Sequence, residues 1–283
     1  RTNVFQGNPD LEPEQAEITN FGFSVALADF CDNCDLNFGV DYSNFFFEDR
    51  ITLLRGPRVV DADFSKFLEA YPQADLANVS RDDAVAWLSC CANPNIVRGG
   101  APSYTIVQVN AYYLNAQVME HTAIDVYADY TWHTDDYGSL RVGIEATHID
   151  EFSYDLGGGV TGDAVGKQNL GIDVIPTLPE QRAIATVNWS RDNTNLLLRA
   201  RWNKEVDAAW TATDIDALTY IDLTYTHRLD GLTGSGSSTV LEIGGRNITD
   251  QYPTPLGAFG ASIELAIHDP RGRMFFVRAK HAF

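Results

Sequence analysis

Basic side chains are scarce in this sequence: 20 Lys and Arg stand against 39 Asp and Glu over 283 residues, a formal charge of -19. Phosphate binding needs a basic face, and none is visible, so a nucleic-acid partner is excluded. Long apolar runs are also missing. No stretch approaches the roughly 20 consecutive apolar residues of a membrane helix, which rules out helical spanning. A barrel stays open, because its signal is only segments of about 10 alternating residues. No HExxH, nucleophile elbow or Ser-His-Asp grouping occurs, and the histidines at 121, 133, 148, 227, 268 and 281 are scattered. Asp82-Asp83 and Asp135-Asp136 lack the spacing of a calcium loop. The expectation is therefore no enzyme, no metal and no cofactor. No start methionine or leader opens the chain, and Arg1 begins a polar stretch that reads as a mature or cut product. No longer repeat suggests a solenoid or propeller.

Cysteine is sparse, with four residues in two close pairs. Cys31 and Cys34 sit in a tight CDNC turn between strand-like runs, and a local loop-closing disulfide suits an oxidising compartment. A thioredoxin-type redox centre needs a strand feeding a helix, and no helix follows. Cys90 and Cys91 either form a ring with each other or pair elsewhere. Zinc is the weakest reading, since no histidine stands at ligand spacing.

What is abundant is period-two alternation. Residues 122–133 put Ile124, Val126, Ala128, Tyr130 and Trp132 on one face and Asp125, Tyr127, Asp129, Thr131 and His133 on the other. Residues 217–229 repeat the split, and similar runs lie at 17–28, 36–54, 139–153, 182–191, 195–205, 238–248 and 272–283, nine strands in all. Short connections (29–35, 134–138, 191–195, 230–237) alternate with long ones (55–105, 154–180, 249–271, and the briefer 206–215). Turns on one side and loops on the other are the habit of a membrane barrel. Trp132, Trp189, Trp202 and Tyr225 near strand ends are candidates for an aromatic girdle.

Within 55–105, Phe64, Phe67, Leu68 and Tyr71 fall at helical spacing, and Ser80 with Asp83 reads as a capping box ahead of a second short helix. The Gly-rich span 157–166 reads as a mobile tip.

Several segments carry a family likeness in order along the chain. GNPDLEPEQAEITNFGF, MEHTAIDVYADYTW with DYGSLRVGIEATHI, LPEQRAIATVNW, LTYIDLTYTHRL, GGRNITDQYP and the terminal DPRGRMFFVRAKHAF, which stops on an aromatic, resemble the C-terminal part of a TonB-dependent outer-membrane receptor. The resemblance implies a transmembrane antiparallel β-barrel of about 22 strands around an N-terminal plug, to which this chain gives nine. It makes 1–283 the C-terminal part of the barrel domain and 55–105 a long exterior loop with short helices. The closing strand then ends at the periplasmic face.

The implied function is energy-coupled uptake of a scarce ligand such as a siderophore, vitamin, glycan or peptide. The alternatives are a passive porin and a soluble β-sandwich binding module. An open nine-strand sheet would leave two bare edges in lipid, so a companion polypeptide is expected to bring the plug and about 13 strands. That plug would engage the inner-membrane TonB complex, and outer-membrane lipid would surround the barrel. Asp125, Asp129, Arg141, Glu145, Arg199, Arg201, Asp222, Arg228, Glu242 and Arg246 are expected as a wet lumen wall in contact with the plug. Trp87, Trp210, Tyr252 and Phe259 are the exterior-loop candidates for ligand contact, because aromatics bring large contact area.

Overall fold

Alternating runs satisfy their backbone by pairing sideways. In the computed structural model, which describes residues 2–74, 78–156, 161–169, 175–209, 214–256 and 263–283, they do so in one sheet. In chain order the elements are β1 (Thr2–Gln6), β2 (Gln15–Cys31), β3 (Cys34–Leu54), α1 (Gly56–Ala70), α2 (Arg81–Cys90), β4 (Ile96–Arg98), β5 (Ile106–Thr134) and β6 (Gly138–Asp155). They continue with β7 (Thr161–Asp163), β8 (Gln181–Arg191), β9 (Thr194–Asn203), β10 (Leu218–Asp230), β11 (Ser238–Arg246) and β12 (Met274–Ala282).

Among the described residues the sheet path is β12-β11-β10-β9-β8-β6-β5-β3-β2, with every neighbour antiparallel. These are the nine strands read from alternation, laid side by side in chain order. Among the described residues the fold is an all-β meander with two helices, antiparallel along that path, while β1 pairs with β5 in parallel. The connections β2–β3, β5–β6, β8–β9 and β10–β11 are short and share one end, and the long ones share the other. Asn33 (φ 63°), Gly138 (φ 80°) and Asp192 (φ 49°) supply the left-handed backbone that three of the short turns need.

The outer ends depart from expectation. Strand β5 starts at Ile106, not near residue 122, and its first half pairs with β3 as far as Leu54↔Tyr112 and also carries β1 and β4. The consecutive Tyr112, Tyr113 and Leu114 break the two-residue period there, and Asn115 holds the segment by donating to the carbonyls of Glu12 and Asp49. The Gly-rich span is only partly within the described residues. Its second half is packed: Thr161–Asp163 pairs with β6 and Ala164 is fully buried.

The two faces differ in kind. Directly paired residues point to the same side, and one row crosses seven strands: Trp132, Leu140, Trp189, Leu196, Tyr225, Ile243 and Val277. Every member is apolar or aromatic, and exposure rises to 54% at Ile243 and 75% at Val277. Phe21 and Phe23 extend the same face across β2, packed on Tyr42 and Phe38. Each large apolar side chain left in water forgoes about 1.5–3 kcal/mol of burial. A belt of this extent is built to be covered. The opposite face, cupped by the hollows it lines, is mostly polar, with Ile184, Leu197 and Phe276 among its apolar members.

Candidate functional site

The strand registers bring all ten charged residues singled out in the sequence onto the cupped face. Arg141 donates to Asp129 at 2.9 Å, over Gly143, where a Cβ would come within 2.7 Å of the Asp129 carboxylate. Thr147 donates to Asp125 at 2.5 Å. Arg201 meets Asp222 at 3.3 Å, and the other Asp222 oxygen accepts the Asn247 backbone N–H at 2.9 Å, which couples the wall to the β11–β12 loop. Arg278 bonds Glu242 at 3.0 Å, while Arg228 turns to Asp230 at 2.7 Å near a short turn.

The sequence reading missed Asp41, Arg182, Tyr220 and Arg278 on this wall. Asp41 sits mid-run in β3 and Arg182 is the second residue of β8, so strand parity alone marks both. Arg182 and Arg201 line a hollow of about 650 Å³ with Asp125 and Glu145. A second hollow, about 760 Å³, is lined by Arg199, Arg246 and Arg271 together with Asp222 and Asp269.

At the long-loop end the connections pack on one another. Leu54, Val59, Ile96, Val109, Met119 and Leu156 form a core that joins α1 to the outer ends of β3, β5 and β6. Val206, Ile215 and Leu256 form a smaller one between the last two long loops. Asp63 on α1 is a polar hub: it accepts Arg98 at 2.8 Å, the Asn93 N–H at 2.8 Å and the Trp87 indole at 3.2 Å. The Asn169 amide donates to the carbonyls of Ala164, Lys167 and Pro176. Gln168 ties Glu264 to the Ala209 N–H. Ser80 caps α2 by accepting the Asp83 N–H, as its spacing predicts.

Of the four ligand-contact candidates, Trp87 is half-buried as a strut, edge-on to Phe67 and bonded to Asp63. Tyr252 is 63% exposed, its hydroxyl standing over Gly272. Trp210 and Phe259 lie outside the described residues.

Cys31 and Cys34 are disulfide-bonded across the β2–β3 turn, and Cys90 is bonded to Cys91 at the end of α2, so both pairs are local. His268, in the β11–β12 loop, is 4% exposed beside Tyr220, and among the described residues neither of its ring nitrogens is hydrogen-bonded. Burial pushes its pKa down, against the upward pull of Glu264 and Asp216. Next to it, the Arg271 guanidinium holds the Asp269 carboxyl at about 2. Among the described residues no group of His, Cys, Asp and Glu is arranged to hold a metal ion.

No family model and no curated protein matches the sequence. Solved structures of the ferric enterobactin receptor PfeA of Pseudomonas aeruginosa share the fold. One mutant form aligns over 98% of this chain at a TM-score of 0.54 and 14% identity. Another, in complex with enterobactin, gives 0.53 at 13% identity and the same coverage. The chain spans 32% of the length of each of these receptor chains. The likeness establishes the receptor-barrel fold.

Proposed function

We propose that this chain is an arc of a TonB-dependent outer-membrane receptor barrel that takes part in energy-coupled uptake of a scarce ligand. The observation that carries the reading is the apolar row from Trp132 to Val277 on one face, backed by a charged, cupped face on the other. Lipid covers the first and a water-filled or plugged lumen the second. A soluble sandwich module would bury that apolar row against a second sheet.

Among the described residues strands β2 and β12 each have one neighbour on the sheet path. Their free edges carry unpaired N–H and C=O groups, each costing several kcal/mol in hydrocarbon. Closure therefore draws on polypeptide outside these residues, which brings the remaining strands, about 13, and a plug for TonB coupling. The long-loop end, with its packed helices and its two polar hubs, faces the exterior. Trp87, Tyr252, Trp210 and Phe259 remain the ligand-contact candidates there. Because the fold neighbours are receptors for ferric enterobactin, a ferric siderophore is the first ligand to test.

Fractionation of native cells tests the placement. The protein is expected in the outer-membrane fraction, released by detergent and not by salt or carbonate. Recovery in the soluble fraction overturns the reading. On a denaturing gel of the purified receptor, additional polypeptide must accompany these residues, in the same band or a second one.

A further inference from the structure

Cys90 and Cys91 are neighbours in the chain, and their sulfurs are bonded to each other at the exposed end of α2. A disulfide stabilises a fold chiefly through the length of chain it closes, and this one closes nothing beyond a single peptide link. Its effect is therefore local, on the backbone that leaves the helix. That backbone runs between two donors aimed at one acceptor: the Trp87 indole N–H and the Asn93 backbone N–H both reach Asp63 Oδ1, at 3.2 and 2.8 Å. Between them the N–H groups of Cys91 and Ala92 both turn back to the Trp87 carbonyl, at 2.8 and 3.1 Å. Every residue of α2 is half-buried or exposed, so its seat on α1 depends on this hub and on Trp87 packing edge-on to Phe67. The other pair differs. Cys34 is 1% exposed, and Cys31 lies opposite it in the β2–β3 ladder, whose pairing holds the turn with or without the bond.

We propose that Cys90–Cys91 is a thiol-exchange site that switches the helical loop between a hub-locked, oxidised form and a released, reduced form. The reactant is a dithiol reductant. One of its thiolates attacks an exposed cysteine sulfur, a mixed disulfide forms, and the other cysteine leaves as a thiolate that takes up a proton. The second thiol of the reductant then displaces the first cysteine, so both cysteines end as thiols and the reductant as a disulfide. With the ring open, the backbone between Cys90 and Cys91 regains its rotations, and Trp87 and Asn93 no longer have to meet at one oxygen. Trp87 is also a ligand-contact candidate, so the switch sets whether its indole is held by Asp63 or free. Exposure and the hub suffice for this, whether or not the chain is part of a receptor.

The experiment uses the complete protein in detergent. Dithiothreitol is titrated in, thiols in aliquots are trapped with iodoacetamide and located by mass spectrometry, and protease cleavage within residues 56–98 is timed at each step. Cleavage is expected to quicken by about tenfold as Cys90 and Cys91 become reduced, the effect of one net hydrogen bond lost, and to slow again on reoxidation with oxidised glutathione. Cys90→Ser/Cys91→Ser should be cut at the reduced rate with or without dithiothreitol, and Cys31→Ser/Cys34→Ser should respond like wild type. In Asp63→Ala, where the hub is already gone, reduction should add less than about twofold. Complete reduction of Cys90 and Cys91 with cleavage unchanged overturns the proposal, and so does a pair that stays oxidised in the folded protein. A rise in Asp63→Ala as large as in wild type contradicts it too, because the ring would then act elsewhere than through the hub. The wild-type titration decides the matter even if a variant fails to assemble.

Discussion

Arg98 Nη2 donates to Asp63 Oδ2 across 2.8 Å, with the two side chains 18% and 6% exposed. The pair fastens α1 to β4, and the same carboxylate receives Trp87 from α2. A buried ion pair broken on one side leaves an uncompensated charge. Asp63→Ala should therefore cost the helical loop about 3–5 kcal/mol. Limited proteolysis of the assembled protein should then cut within residues 56–98 far faster than in wild type, while the strands stay protected. Trp87→Phe, which removes only an indole donor, should loosen the loop by about 1 kcal/mol.

The cap on α2 offers a milder perturbation. Ser80 accepts the Asp83 N–H at a long 3.5 Å, so Ser80→Ala should cost about 0.5–1 kcal/mol, the low end for an N-cap. Hydrogen exchange should accelerate at the first turn of α2 and leave α1 unaffected.

The two faces of the sheet should respond unequally to charge. Val277, 75% exposed on the apolar belt, should tolerate Lys at a cost of about 2–4 kcal/mol if it lies near the bilayer midplane. Thr224→Lys, on the cupped face between Leu197 and Gly244, should fall within about 0.5 kcal/mol. Unfolding in denaturant from lipid vesicles measures both.

Acid should loosen the β11–β12 loop through His268. Its pKa in the folded protein lies below the usual 6.5, so the unfolded loop binds the proton more tightly. The stability of the neutral, buried form is complete above about pH 6.5 and declines as pH falls from there toward the lowered folded value. Asp269 titrates at about 2 and stays charged throughout that window. Hydrogen exchange of residues 263–269 should show a wild-type increase below pH 6.5, and His268→Phe should abolish it when the two are compared at each pH.

Much of this architecture was legible from residue order, and the reasons are local. The alternation of Ile124 to Trp132 with Asp125 to His133 marks β5 because one side is apolar and the other polar. Ser80 and Asp83 mark α2 because capping acts over three residues. The first half of β5 was hidden because Tyr112, Tyr113 and Leu114 blur the period, and β7 because three residues carry no pattern. Strand parity put all ten chosen charges on one face of the sheet. It could not show that Arg201 meets Asp222, or that the Asp222 carboxylate also reaches Asn247, because those contacts depend on register and on a loop folding back. His268 was unreadable for the same reason: it packs beside Tyr220, some 50 residues earlier in the chain.

The most direct test of the account is a spin-label scan along β12, residues 274–282, in the complete protein reconstituted in lipid. Collision with oxygen, which partitions into the bilayer, is expected to peak at 275, 277 and 279, and collision with a water-soluble nickel chelate at 276 and 278 wherever the lumen is wet. A strand with no two-residue alternation, or with both positions equally open to the chelate, contradicts it.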